Sequence, residues 1–210
     1  TRPVDFETHF NALLGEIEIY ADLYRFSLKT VYFGGGTPSV VPPEVYEKFF
    51  HRLGKVLDLS TLEEVTIEVN PESYTFEDFK ALKDIGFNRI SVGVQSFLDK
   101  NLKRLGRKHL VAASLRILEE AHGAGFDNIS VDLIWGLPGQ NGRDLKKEFE
   151  ILKQTPAVHL SAYLLTLYEE TPFYLFHRRG RLKLPSQEEI ERLYQTLLEE
   201  TEGLGFERYE

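Results

Sequence analysis

Gly125-Phe126-Asp127-Asn128-Ile129-Ser130-Val131-Asp132-Leu133-Ile134 repeats a pattern already written at Gly86-Phe87-Asn88-Arg89-Ile90-Ser91-Val92-Gly93-Val94-Gln95, 39 residues earlier. Each copy follows a stretch with apolar residues at helical spacing, Thr75 to Ile85 in one case and about Leu110 to His122 in the other. Each then reads Gly-Phe, a polar pair and Ile-Ser-Val. Gly205-Phe206-Glu207-Arg208-Tyr209 opens the same way 80 residues further on. One more unit lies between, with a helix predicted over Asp144 to Lys153 and a strand over His159 to Leu165. Strands alternating with helices of this length predict βα units and a parallel sheet.

Working toward the start of the chain, Glu64 to Asn70 alternates as a strand, and Pro71 ends it. Pro42-Pro43-Glu44 opens a helix to about Leu57, and Asp5 caps another that runs to about Phe26. Between those helices stands Val31-Tyr32-Phe33-Gly34-Gly35-Gly36-Thr37-Pro38, an apolar strand running into three glycines. Toward the other end, Pro185-Ser186 starts a last helix over about Gln187 to Glu202.

The strand faces choose between an open sheet and a barrel. A parallel sheet covered by helices on both sides reads as nearly continuous apolar runs. Here one face carries Thr66, Glu68 and Asn70, then Ser91, Gly93 and Gln95, then Ser130 and Asp132, then Ser161 and Tyr163. The other carries Val65, Ile67, Val69 and their equivalents. A shared polar face is costly to bury unless it meets water or a ligand. The expected fold is therefore α/β, a barrel or part of one, with a polar lumen.

At 210 residues and 42% hydrophobic, the chain holds one sizeable core, and a single domain over residues 1–210 is expected. A net charge of −8 repels polyanions, so no nucleic-acid partner is expected. No apolar run approaches the roughly 20 residues of a membrane span, and no signal sequence opens the chain, so a soluble, cytoplasmic protein is expected. Cysteine is absent, which removes disulfides and thiolate-held metals from these residues. The six histidines include no i, i+4 pair, and no zinc site is expected. Methionine is also absent and the chain opens on Thr1, so a piece of a longer protein is expected.

Gly34-Gly35-Gly36 is, on its own, either a tight turn or a cradle in which backbone N–H groups meet a ligand. It is neither a Walker A loop, since no Lys-Ser/Thr follows, nor G-x-G-x-x-G, since the glycines are contiguous. Glu68, Gln95 and Asp132 lie near the carboxyl ends of three successive strands, where α/β barrels place ligand contacts. Each alone is equally a cap for a neighbouring helix. Arg107 is either a solvated cation or, beside two carboxylates, a bidentate partner for a substrate carboxylate. His177-Arg178-Arg179-Gly180-Arg181-Leu182-Lys183 is a concentrated basic run, read as a solvated loop or as an anchor for acidic groups. Phe173, Tyr174 and Phe176 beside it are read as core or a domain contact.

GGGTP, IEVNPE, ISVGVQSF with LGR, and SVDLIWGLPGQ, in this order, resemble the radical S-adenosylmethionine (SAM) enzymes of the oxygen-independent coproporphyrinogen III oxidase group. The distal stretch Leu160 to Thr166, then Thr171-Pro172-Phe173-Tyr174, Arg179-Gly180 and Phe206-Glu207-Arg208-Tyr209-Glu210, is more similar to that group's heme-chaperone branch. The resemblance implies a partial TIM-like (β/α) barrel holding S-adenosylmethionine and a [4Fe-4S] cluster. It implies that Gly35, Gly36 and Thr37 contact the methionyl end of the nucleotide, that Glu68, Gln95 and Arg107 hold its polar groups, and that Asp132 bonds the ribose hydroxyls. No residue is assigned a catalytic role, because in this superfamily the cofactor does the radical chemistry and the protein positions it.

The resemblance further implies three cysteines spaced CxxxCxxC after a first barrel strand, upstream of the helix near Asp5. Neither that strand nor any cysteine is among these residues. The segment is expected to precede Thr1 in the full protein. The implied function is heme binding and transfer to a recipient protein. The alternatives are oxidative decarboxylation of coproporphyrinogen III propionates and a cluster-free barrel that only binds an adenosyl ligand or a partner, so whether the chain is an enzyme stays open at this point.

Overall fold

The fold is taken from a computed structural model that describes residues 5–25 and 27–209. Five strands form the sheet: β1 (Thr30–Phe33), β2 (Glu64–Val69), β3 (Arg89–Gln95), β4 (Asn128–Trp135) and β5 (His159–Leu164). All neighbours are parallel and lie in the order β1-β2-β3-β4-β5. A sheet wound in one direction by right-handed crossovers keeps its connecting helices on one face. That is the winding of a barrel wall, as the alternation predicts. Among the described residues β1 and β5 are its two edges.

The helices are α1 (Phe6–Leu23), α2 (Pro43–Leu53), α3 (Phe76–Ile85), α4 (Asp99–Arg104), α5 (Val111–Gly123), α6 (Gly142–Leu152), α7 (Pro172–Arg178) and α8 (Gln187–Gly203). Their starts are chemically marked. Asp5 accepts the Thr8 N–H at 3.1 Å, and Thr75, Asn141 and Ser186 each close a reciprocal capping box. These bonds satisfy N–H groups that have no partner within the helix. α1 ends at Leu23, short of the expected Phe26, which lies outside the described residues, as does Glu210 of the terminal motif. α2 likewise stops at Leu53 rather than near Leu57, where backbone bonds such as Val56 N–H to Leu53 O turn the chain.

The apolar strand face supplies the core. Ile67, Ile90, Val92, Ile129 and Val131 are fully buried, as are Phe79, Leu82, Ile117, Leu118 and Phe149 from the helices packed on them. Each such side chain contributes about 1.5–3 kcal/mol relative to leaving it in water. Behind β1, Phe33 sits at the centre of a ring cluster, 4.9 Å from Tyr46, 5.5 Å from Phe87 and 5.8 Å from Phe49. This cluster fixes the strand that delivers the glycine loop.

The opposite face is polar, and strand register sets it out in rows. Glu68 pairs with Ser91, Ser91 with Ser130, and Ser130 with His159; one step up, Asp132 pairs with Ser161. Two short elements were not anticipated from the sequence. α4 has one apolar residue, Leu102, in six and so shows no periodicity. α7 carries Phe173, Tyr174 and Phe176, and since none of its residues is buried, with Phe176 45% exposed, these rings are not part of the core.

Candidate functional site

At the carboxyl ends of β1 to β3, and beside Asp132 of β4, the polar face opens into a cavity of about 230 Å³. That is slightly below the roughly 300–1,000 Å³ of enclosed ligand pockets, so it cradles part of a ligand. Gly36, Thr37, Glu68, Gln95, Arg107 and Asp132 all line it, together with Ser91 and Gly93. Six of the seven residues expected at a nucleotide site thus converge. A larger hollow of about 920 Å³ between α1 and β1 shares the glycine loop. Its walls are mainly apolar, Phe10, Leu13, Ile17, Val31 and Phe33 among them, with His9 and Glu16 also lining it.

Gly35 does not line the cavity. Its φ is +77°, followed by +60° at Gly36, two consecutive left-handed residues that a side chain would strain. The turn aims the Gly35 N–H at Glu68, whose Oε2 accepts it at 3.2 Å. Gly34 is required for room: a Cβ there would come within 2.9 Å of Glu68 Oε1 and 2.6 Å of the Tyr32 ring. Beyond the glycines, Ser39 Oγ accepts the Asn70 N–H at 3.0 Å, and the Tyr46 hydroxyl donates to Pro38 O at 2.9 Å. The loop is held from three sides.

Glu68 also accepts the Tyr32 hydroxyl at 2.9 Å on Oε1. Each carboxylate oxygen keeps a further acceptor site for a ligand cation. Asp132 receives the Ser91 hydroxyl at 3.2 Å from either oxygen. Burial pushes the Asp132 carboxyl above the ordinary carboxylate range; the Ser91 and Ser161 hydroxyls oppose this and the Glu68 charge adds to it. An acidic pair whose direct hydrogen-bond donors are hydroxyl and amide groups suits a cationic ligand carrying hydroxyl groups.

Gln95 is the unusual residue. Val92 pairs with Val131 but Gln95 pairs with Leu133, so Gly93 and Val94 together oppose Asp132. This is a β-bulge in a parallel pair, a rare feature that re-aims a side chain. Gln95 has φ +67°, and the Ser96 N–H returns to Val94 O at 2.8 Å, closing a γ-turn. The Gln95 amide folds over Gly93: a Cβ on Gly93 would lie 2.8 Å from Gln95 Nε2. Arg107 stands exposed at the rim, and no ion pair joins it among the described residues. His109 nearby is buried, with Nε2 3.3 Å from the same Val94 carbonyl.

Tyr32 was missed by the sequence reading. It sits in an apolar run, yet its register partner is Thr66, a lumen residue, and that parity alone places it on the polar face.

Residues 7–152 match the radical SAM superfamily. The chain is 37% identical to the heme chaperone HemW of Bacillus subtilis (strain 168), over all of this chain and 55% of that protein. It is 38% identical to heme chaperone HemW of Lactococcus lactis subsp. lactis (strain IL1403), over 92% of this chain and 51% of that one. The chain thus spans about half the length of these relatives. Among solved structures, the fold is similar to that of coproporphyrinogen III oxidase (HemN) from Escherichia coli, with a TM-score of 0.81 at 22% identity, covering 99% of this chain and 48% of that one. The match extends over well over half of these residues and includes every strand end that builds the polar cavity from β1 to β4, and the chain belongs to the radical SAM superfamily.

Proposed function

We propose that the polar cavity holds S-adenosylmethionine and that the protein containing this chain is a heme chaperone, binding heme and passing it to a recipient protein. The observation that carries the first part is the convergence of Gly36, Thr37, Glu68, Gln95, Arg107 and Asp132 on one cavity. The ligand carries a sulfonium and an ammonium, a carboxylate and a ribose diol. Glu68 supplies the anion for the ammonium, and Arg107 supplies a planar fork for the carboxylate. Asp132 accepts from the two ribose hydroxyls, while the N–H groups at Gly36 and Thr37 lie along the methionyl end. Gly35 acts one step removed, by holding Glu68. In this family the nucleotide and its cluster supply the radical chemistry, and the residues named here bind and orient.

The [4Fe-4S] cluster implied by the family does not fit this residue set, because iron–sulfur centres need thiolates and these 210 residues include no cysteine. No step is assigned to it.

The heme part rests on the HemW relatives. α7 supports it: Leu175 and Phe176 are exposed beside Arg178 and Arg179, an apolar and cationic combination that suits a macrocycle with acidic side chains. Heme titration and a coproporphyrinogen assay on the cluster-reconstituted full-length protein test it. Heme binding without turnover is the expected result, and turnover of coproporphyrinogen III would overturn it. Among the described residues no helix is long and apolar enough to cross a membrane.

A further inference from the structure

Behind the cavity, α6 carries a carboxylate that nothing above explains. Glu148 is 2% exposed, yet it is an acidic residue. Its Oε1 accepts the Ser96 hydroxyl, its Oε2 accepts the Phe97 N–H, and Asn101 Nδ2 donates to Oε1 at 3.0 Å. Ser96 and Asn101 are themselves fully buried. Ser96 Oγ in turn accepts the Leu98 N–H at 3.1 Å, so the whole turn from residue 96 to 98 is tied to one carboxylate. A buried charge is retained only where donors replace its water, and here three protein donors do so.

The position of that turn gives the arrangement its meaning. Ser96 directly follows Gln95, the one non-glycine residue with positive φ among those described. Such backbone persists only where its surroundings over-determine it. The donors that Glu148 holds include the hydroxyl of residue 96, the last residue of the γ-turn, and the N–H of residue 97, the first residue beyond it. From the other side, His109 Nε2 reaches Val94 O. The turn is therefore gripped at both ends, and what it presents to the cavity is the Gln95 amide.

We propose that Glu148 is a positioning residue for the adenosyl site: from α6 it clamps Ser96 and Phe97 and so holds the strained turn that presents Gln95 to the ligand. The inference rests on the reading of the cavity as a site for S-adenosylmethionine. It makes α6 part of the site without contact with the ligand. Glu148→Gln keeps the size and removes the arrangement, because an amide places an N–H₂ against at least one of the three donors.

The test is a double-mutant cycle on the full chain with S-adenosylmethionine itself as the probe. E148Q weakens binding about tenfold, the scale of one lost charge-assisted hydrogen bond. In a Q95G background, where glycine takes the positive φ without strain and no amide remains to be aimed, E148Q has no further effect. Ser96→Ala, which removes one leg of the clamp, repeats the pattern more weakly and serves if E148Q does not fold. Hydrogen exchange gives a ligand-free arm: the Ser96 N–H exchanges faster in either variant while core amides such as Ile90 stay protected. Equal losses in both backgrounds, or no loss in either, overturn the clamp, as does an unchanged Ser96 exchange rate. Absence of binding by the parent chain instead overturns the adenosyl reading, and the exchange arm still decides whether Glu148 holds the turn.

Discussion

Gly35 donates its amide hydrogen to Glu68 Oε2 at 3.2 Å, tying the loop after β1 to the carboxyl end of β2. The other oxygen of Glu68 takes the Tyr32 hydroxyl at 2.9 Å. Glu68→Gln leaves one of those donors facing an N–H₂ group. Unfolding free energy drops by about 0.5–1.5 kcal/mol, the net value of such a bond at a partly exposed site. Tyr32→Phe costs less, because Glu68 keeps the Gly35 bond. Denaturant titration of the two variants checks the order, and a larger loss for Tyr32→Phe would contradict it.

Asp132 follows a different sign. Its carboxyl is raised above its ordinary value of 3.8 by burial, with Glu68 adding to the shift. A raised carboxyl binds its proton more tightly in the folded state, so its ionisation costs stability as pH climbs through the interval above about 3.8. The cost grows with pH until the raised carboxyl is fully ionised. Asp132→Asn therefore raises Tm at pH 7, and the gain shrinks to nothing as pH falls below that interval. Ligand affinity moves the other way: protonation removes an acceptor for the ribose hydroxyls, so binding by the parent chain weakens as pH falls through the same interval. Calorimetric scans of both proteins across pH show this, and a lower Tm for Asp132→Asn at pH 7 would contradict the account.

Gly93→Ala separates fold from site. The new Cβ lies 2.8 Å from Gln95 Nε2, the mobile end of a long side chain, so the amide swings away and the backbone stays. Stability changes by less than about 1 kcal/mol while S-adenosylmethionine affinity falls about tenfold, the effect of one misplaced hydrogen bond. Comparable losses of stability and affinity would show that Gly93 is needed for packing alone.

Much of this site was legible before any coordinates. The period-2 alternation in Glu64–Val69, Arg89–Gln95 and Asn128–Trp135 put Glu68, Ser91 and Asp132 on one face, because side chains of a strand alternate by geometry. The bulge at Gly93 and Val94 was not legible, since strict alternation carries Gln95 to the lumen without it. The actual route uses an extra residue and a γ-turn, which depend on Glu148 fifty-odd positions away. Gly35 illustrates the same limit: a glycine triplet marks a place for backbone N–H groups, but whether each meets a ligand or a side chain depends on the register of the next strand.

Phe87 tests the wall behind the glycine loop. It is 1% exposed and its ring stands 5.3 Å from Tyr46 and 5.7 Å from Phe50. Phe87→Ala opens a void beside Phe33 in that cluster and costs about 3–5 kcal/mol. Tyr168→Ala, at an exposed position, stays within about 0.5 kcal/mol. Chemical denaturation distinguishes the two, and equal effects would contradict the assigned core.

The central claim is that the polar cavity at the strand ends holds S-adenosylmethionine. Isothermal titration of the folded chain with S-adenosylmethionine, repeated on Asp132→Ala, tests it most directly. The account predicts saturable one-site binding by the parent and a loss of about 1–3 kcal/mol in the variant, the range for removing a partner from buried hydrogen-bonding groups. Binding of equal strength by both proteins would contradict it.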